Sequence, residues 1–222
     1  EGDRPKIITV MWAIWTSRNN ITHDRESLHP GQFLKRIQEA LMLLELPEEH
    51  TRIIPGYGWR PPDLDWLKIN TDASVSLIDN RSGAGGLART SSAFVAAWSK
   101  PHHHVTDPLI AEALALRDGV IFGKLRGSSR VVLEVDCLEL VQLWNSRQFS
   151  RSVIAPILLE IEGLASTFLS FDIHHAMRQA NNSAHLCAKH ASTLGVTDCW
   201  MDSPPGFLVT SLMADRAGAV YD

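Results

Sequence analysis

The chain has 222 residues, 45% of them apolar, with a formal net charge of −4 and a pI near 6.2. That composition suits a globular protein with a sizeable core and excludes a global basic field, so a polyanionic partner must be met by a local patch or by bound cations. Cys137, Cys187 and Cys199 are widely spaced and include no CxxC pair, which suits reduced thiols in the nucleus or cytoplasm better than a disulfide framework or zinc site, and no disulfide-linked partner is expected.

In chain order, residues 6–22 place Ile8, Met11, Trp12 and Trp15 on one helical face, and residues 31–46 repeat the pattern with Phe33, Leu34, Ile37, Leu41 and Leu44 behind Pro30. Neither helix can bury its apolar face alone, so the two are expected to pair and then lie on the main domain or on a protein partner. The run IITVMWAIW, residues 7–15, is too short to span a bilayer. No membrane partner is therefore expected, a secretory signal being the alternative reading. The chain begins at Glu1 without Met, which leaves organellar targeting open. We divide it into an N-terminal two-helix extension (1–50), a linker (51–66) rich in Pro, Gly and isolated aromatics, a main domain (67–192) and a C-terminal tail (193–222).

Short strands follow the linker. LKINTDAS (67–74) alternates apolar and polar residues, IDNRSG is turn-rich, and GAGGLAR (83–89) with AFVAAWS (93–99) continues an antiparallel meander. Residues 107–123 read as a helix with Asp107 as N-cap, Pro108 at N1 and Gly123 at its end. RVVLEVD (130–136) is a β-branched strand, followed by helices over 137–144 and about 152–167 and a strand over 169–175. A last helix follows RQANNS, with Asn181, Asn182 and Ser183 as candidate N-caps. Three antiparallel strands followed by alternating helix and strand predict a mixed α/β fold, a five-stranded sheet flanked by helices.

Three acids stand out by position: Asp72 at the end of the first strand, Glu112 near the start of the first helix, and Asp136 at the end of the fourth strand. In a mixed sheet the first and fourth strands can be neighbours, which would bring Asp72 and Asp136 together near Glu112. Like charges at ~4 Å repel by about 4 kcal/mol at an effective dielectric near 20, so such a cluster calls for cations. Mg²⁺ is the natural choice, and two ions suit in-line phosphodiester cleavage. Taken singly, Asp72 also suits turn capping, Glu112 a helix-dipole partner, and Asp136 the N-cap of the next helix.

The segments NTDAS, GAGGLAR, AEALALRDG, VLEVDC and RQANNSAHLCAKHA occur in order between about Trp66 and Ala191. Together they resemble the plant branch of the type 1 ribonuclease H family, the domain at the end of plant non-LTR retroelement reverse transcriptases. MWAIWTSRNN and CWMDSPPGFL are similar to the segments before and after that domain. The resemblance implies a ribonuclease H-like fold and endonucleolytic cleavage of the RNA strand of an RNA/DNA hybrid, recognised by minor-groove shape and 2′-hydroxyls.

It also implies metal ligation by Asp72, Glu112 and Asp136, with Asp72 bridging two Mg²⁺ or Mn²⁺ ions. His185 stands where the family's general pattern has a fourth acid. An imidazole there is neutral and softer than carboxylate, which predicts weaker use of Mg²⁺ and relatively better activity with Mn²⁺. The alternative for His185 is a half-exposed helix residue bonded to solvent. His175 stands where the family has a loop histidine that assists proton transfer or product departure, or else is a polar strand end.

Asn70, Ser74, Arg178 and Asn181, which flank these positions, are candidate nucleic-acid contacts. So are Lys124, Arg126 and Arg130 of GKLRGSSR, for which a solvated loop is the alternative. The triplet His102–His104 alternates sides in an extended segment and is a weak metal candidate. Lys and Arg nearly balance Asp and Glu between Leu67 and Ala191, which predicts modest, salt-sensitive hybrid affinity. A competing reading is a domesticated module that keeps the fold for nucleic-acid binding or protein interaction and cleaves weakly or not at all.

Overall fold

A computed structural model describes residues 58–77, 80–146 and 151–218. The expected N-terminal helices and most of the linker lie outside these residues. Two compact units divide the chain, 1–52 with 205–209 and 53–204 with 210–222. The second holds nearly all described residues and is the one discussed below.

Its centre is a six-stranded sheet built from β1 (Leu67–Ser76), β2 (Arg81–Arg89), β3 (Phe94–His103), β4 (Arg130–Val135), β5 (Ser170–His175) and β6 (Asp198–Met201), in the order β5-β4-β1-β2-β3-β6. The pairs β1/β2, β2/β3 and β3/β6 are antiparallel, while β1/β4 and β4/β5 are parallel. Five of the strands match those read from the sequence. The sixth corrects the five-stranded expectation: four residues of the C-terminal segment extend the edge of β3, with Trp200 set edge-on against His190 at 5.4 Å. So short a run carries no periodic signal, and it is fixed by the partner strand.

The helices are α1 (Pro108–Leu125), α2 (Leu138–Ser146), α3 (Ala155–Ala165), α4 (Asn182–Leu194) and α5 (Gly206–Gly218), of which residues 210–218 belong to this unit. Asp107 caps α1 as expected, its carboxylate accepting from the Ile110 amide at 3.0 Å with Pro108 behind it. Gly123, expected to end α1, lies inside it. A Cβ there would sit 3.2 Å from Val131, so the position serves close packing of helix on strand, and the chain turns instead at Gly127, where φ is +68°. The main core joins Ile69, Leu116, Val120, Leu133, Leu158 and Ile161, all fully buried. No helix among the described residues is long and apolar enough to cross a membrane.

Candidate metal centre

Parallel pairing of β1 with β4 sets Asn70 beside Glu134. Two residues further along each strand, Asp72 and Asp136 therefore emerge side by side. Helix α1 enters over the same place because Gly119 lets it settle against Thr71, Leu133 and Ile69, and its second turn delivers Glu112. Ligand oxygens of Asp72, Glu112 and Asp136 all lie within 4.8 Å of one another. At an effective dielectric near 20, each ionised pair at that separation repels by about 3 kcal/mol.

Burial, with the charges of Asp72 and Asp136 behind it, pushes the Glu112 carboxyl up to about 9 against the opposing Ala73 amide. Asp136 is also raised, by burial first and then by Asp72, while Arg178 pulls the other way. Asp72 Oδ1 and Glu112 Oε2 are buried and have no hydrogen-bond donor. Buried acceptors left without a donor are costly, and a cation would satisfy both. The donor set is entirely carboxylate oxygen, which fits a hard divalent ion such as Mg²⁺ or Mn²⁺.

Helix α4 brings His185 to this group. It lies directly on β2, since a Cβ at Gly85 would fall 2.1 Å from the Ala188 nitrogen and one at Gly83 would fall 2.3 Å from the Ala188 oxygen. Only glycine admits a helix backbone this close to a strand. His185 Nδ1 then stands 2.6 Å from Asp72 Oδ2. A carboxylate can only accept, so the ring proton belongs on Nδ1, and Nε2 is left as the acceptor. Arg178 fills the space beyond: Nη1 donates to Asp136 Oδ2 at 3.0 Å, and Nη2 stands 3.3 and 3.4 Å from the two ring nitrogens of His185. Its guanidinium faces the acids, although the residue is 63% exposed.

The other candidates separate by location. Asn181 offers no cap to α4. Its amide donates to the Thr71 carbonyl at 2.9 Å, while Asn182 donates to Ser211 Oγ at 3.1 Å and Ser183 Oγ shares a hydrogen bond with Ser211 Oγ at 2.8 Å. Tertiary partners thus take all three expected caps. Asn70 and Asn181 are both buried and present no surface to a ligand. Ser74 accepts from Ser192 Oγ at 3.0 Å. His175 is exposed at the end of β5 and lines a cleft of about 250 Å³ with Trp59, Arg60, Lys68, Glu134 and Met177.

Lys124 and Arg126 end α1, and Arg130 begins β4. They lie away from the acids, since 12 residues of helix separate Lys124 from Glu112 by roughly 18 Å, and six residues separate Arg130 from Asp136 by roughly 20 Å. His102 is drawn to the buried Asp118, 3.2 Å away, where Lys100 also bonds at 2.9 Å. Missing from the sequence reading are Trp59, Arg89 and Asp215, which fasten the site from behind. Gly83 and Gly85 were visible there as a motif, but not as the seat of α4.

A family model described as reverse transcriptase-like matches residues 70–191. Among solved structures, the chain is similar to the N-terminal RNase H domain of Rv2228c from Mycobacterium tuberculosis, solved as a fusion with maltose-binding protein. The two are 18% identical with a TM-score of 0.53, over 57% of this chain and 93% of that one. RNase H1 from the halophilic archaeon Halobacterium salinarum is 15% identical with a TM-score of 0.54, over 59% and 99%. LC11-RNase H1 in complex with an RNA/DNA hybrid is 15% identical with a TM-score of 0.50, over 55% and 94%. At these identities the likeness is one of fold. No curated protein matches the chain.

Proposed function

The chain belongs to the reverse transcriptase-like family and has the ribonuclease H fold, and from that premise we propose that it is a divalent-metal-dependent endoribonuclease acting on the RNA strand of RNA/DNA hybrids. The observation that carries this reading is the cluster of Asp72, Glu112 and Asp136, whose ligand oxygens lie within 4.8 Å while two of their buried oxygens lack a donor. These three acids would hold two Mg²⁺ or Mn²⁺ ions, with His185 Nε2 as the further ligand. Such ions supply charge stabilisation and a water nucleophile at neutral pH.

The chain's own residues set the conditions for that chemistry. Asp72 is 1% exposed and its Oδ2 is held by His185 Nδ1, so its carboxylate is fixed in direction. Its contact with Nδ1 orients the His185 ring and leaves Nε2 beside Arg178 Nη2, 3.4 Å away. Arg178 neutralises Asp136 in the metal-free chain, and its exposed stem lets the guanidinium turn to a substrate phosphate when a cation takes its place. Hybrid selectivity would rest on minor-groove shape and 2′-hydroxyls.

The test is cleavage of a labelled RNA/DNA hybrid by wild type and Asp72→Asn with Mg²⁺ or Mn²⁺. Metal-dependent cleavage by wild type alone supports the enzyme. Hybrid binding with equal, negligible cleavage by both supports a second reading, a binding module whose acids stay occupied by Arg178.

A further inference from the structure

Asn70 is a candidate nucleic-acid contact by sequence, yet it is 0% exposed. Its amide is saturated: Oδ1 accepts from Trp59 Nε1 and Arg89 Nη2, each at 3.1 Å, and Nδ2 donates to Glu134 Oε2 at 2.9 Å and Asn181 Oδ1 at 3.2 Å. An asparagine amide can make four such bonds, and here all four reach different chain segments. We propose that Asn70 is a positioning residue that sets the separation of Asp72, Asp136 and His185, an inference that rests on the metal-site reading above.

The spacing carries the argument. Asn70 lies two residues before Asp72 on β1, and its partner Glu134 lies two residues before Asp136, which in each strand is one repeat along the same face. Its partner Asn181 lies four residues before His185, one turn earlier in the chain. Each segment that ends at a site residue is therefore pinned to the same amide one structural repeat upstream. Asn181 adds a second tie, donating to the carbonyl of Thr71, the residue before Asp72.

Through Trp59 and Arg89 the opposite edge of the amide is tied to residues outside the matched segment. Arg89 stacks over the Trp59 ring at 3.7 Å and pairs with Asp215 at 2.5 Å. Asp215 in turn accepts from Ser183 Oγ of α4 at 3.4 Å. Lys68 closes the other end by bonding both Glu134 and the Arg60 carbonyl. A buried network of this kind, with every bond of the Asn70 amide made, fixes one geometry, because any displacement leaves a polar group without its partner.

The test is Mn²⁺ affinity, measured by calorimetry on wild type, Asn70→Ala, Asn181→Ala, the double variant and Asp72→Asn, with Tm taken on each. Loss of groups that orient ligands lowers metal affinity by about 10- to 100-fold, and each single variant is expected in that range while still folded. The double variant should lose no more than the worse single, since both break one chain of contacts. A folded Asn70→Ala with wild-type Mn²⁺ affinity overturns the proposal. Should that variant fail to fold, Asn181→Ala leaves Trp59, Arg89 and Glu134 bonded to Asn70, and wild-type affinity there overturns it equally. Wild type that binds no more Mn²⁺ than Asp72→Asn overturns both this inference and the enzyme reading. Asp72-dependent Mn²⁺ binding without hybrid cleavage overturns the enzyme reading alone.

Discussion

Titrating the metal-free protein with Mn²⁺ at pH 7 should expel about one proton per chain, because a carboxylate ligates only after losing its proton. Burial and two neighbouring acids hold Glu112 near 9, against an ordinary value of about 4.3. At pH 7 the folded chain therefore carries a proton that the unfolded chain lacks. The sign follows: where the native state binds the extra proton, stability falls as pH rises, by about 1.4 kcal/mol per unit over the window from about 4.5 to about 9. Divalent binding reverses the balance. Apparent Mn²⁺ affinity should climb about tenfold per pH unit below 9 and then level off.

At a hundredfold excess over Kd the ion adds about 2.7 kcal/mol, which for a chain of this size raises Tm by about 5–10 °C. Calorimetry in two buffers of different ionisation enthalpy reads the proton directly, and thermal melts read the stabilisation. Asp72→Asn should abolish both. A pH-independent affinity with no proton release would refute the assignment of the acid cluster as a cation site.

Four further outcomes are expected. His185→Asp should shift metal preference from Mn²⁺ toward Mg²⁺, since it replaces a soft neutral ligand by a hard charged one; equal preference in cleavage or binding titrations would remove His185 from the ligand set. Gly85→Ala should cost at least the 1–3 kcal/mol typical of overpacking, because its Cβ would meet helix backbone at 2.1 Å, and urea melts showing no loss would contradict the seating of α4 on β2. Burial raises the Asp118 carboxyl, but hydrogen bonds from His102 and Lys100 outweigh it and leave the group below its ordinary value. Its contribution should thus be complete above about pH 4 and vanish as pH falls through the lowered value, and Asp118→Asn should flatten that acid limb in melts taken from pH 5 to 2. Finally, hybrid binding by fluorescence anisotropy should weaken sharply in EDTA, and unchanged affinity there would place the phosphate contacts away from the acids.

The three acids were legible because each is tied to a local pattern, two strands and a helix start marked by Asp107 and Pro108, although Asp72 does not end its strand as expected: β1 continues four residues beyond it to Ser76, paired with β2. What joins them, the parallel pairing of β1 with β4, is an arrangement that a mixed sheet allows and that the sequence reading offered as such. The seat of His185 was not legible in the same way. GAGGLAR reads as a strand, but the reason for its glycines is not local: they leave no side chains under a helix that begins about a hundred residues later in the chain. Asn181, Asn182 and Ser183 show local preference losing to tertiary demand: each is a good cap by type, yet Thr71 and Ser211 claim their side chains. Trp59, Arg89 and Asp215 leave no periodic trace, since a single buried polar contact between distant segments has no repeat to detect.

The basic trio could have been placed by following chain direction alone. Helix α1 starts at the acids and runs 18 residues away from them, a length of roughly 27 Å. Strand β4 then returns and delivers Asp136 at its far end. Whatever lies in the turn between them, including Lys124, Arg126 and Arg130, must sit at the end of the sheet remote from Glu112. Proximity in sequence to an acid says little here, because helix and strand each carry a residue farther than a phosphate contact reaches. Among the described residues the basic side chain at the acids is Arg178, which in the metal-free chain is committed to Asp136 and His185. On the proposed reading, substrate phosphate entering the cluster would meet a site whose positive charge comes largely from bound metal, which would couple hybrid binding at the acids to the same ions that cleavage would need.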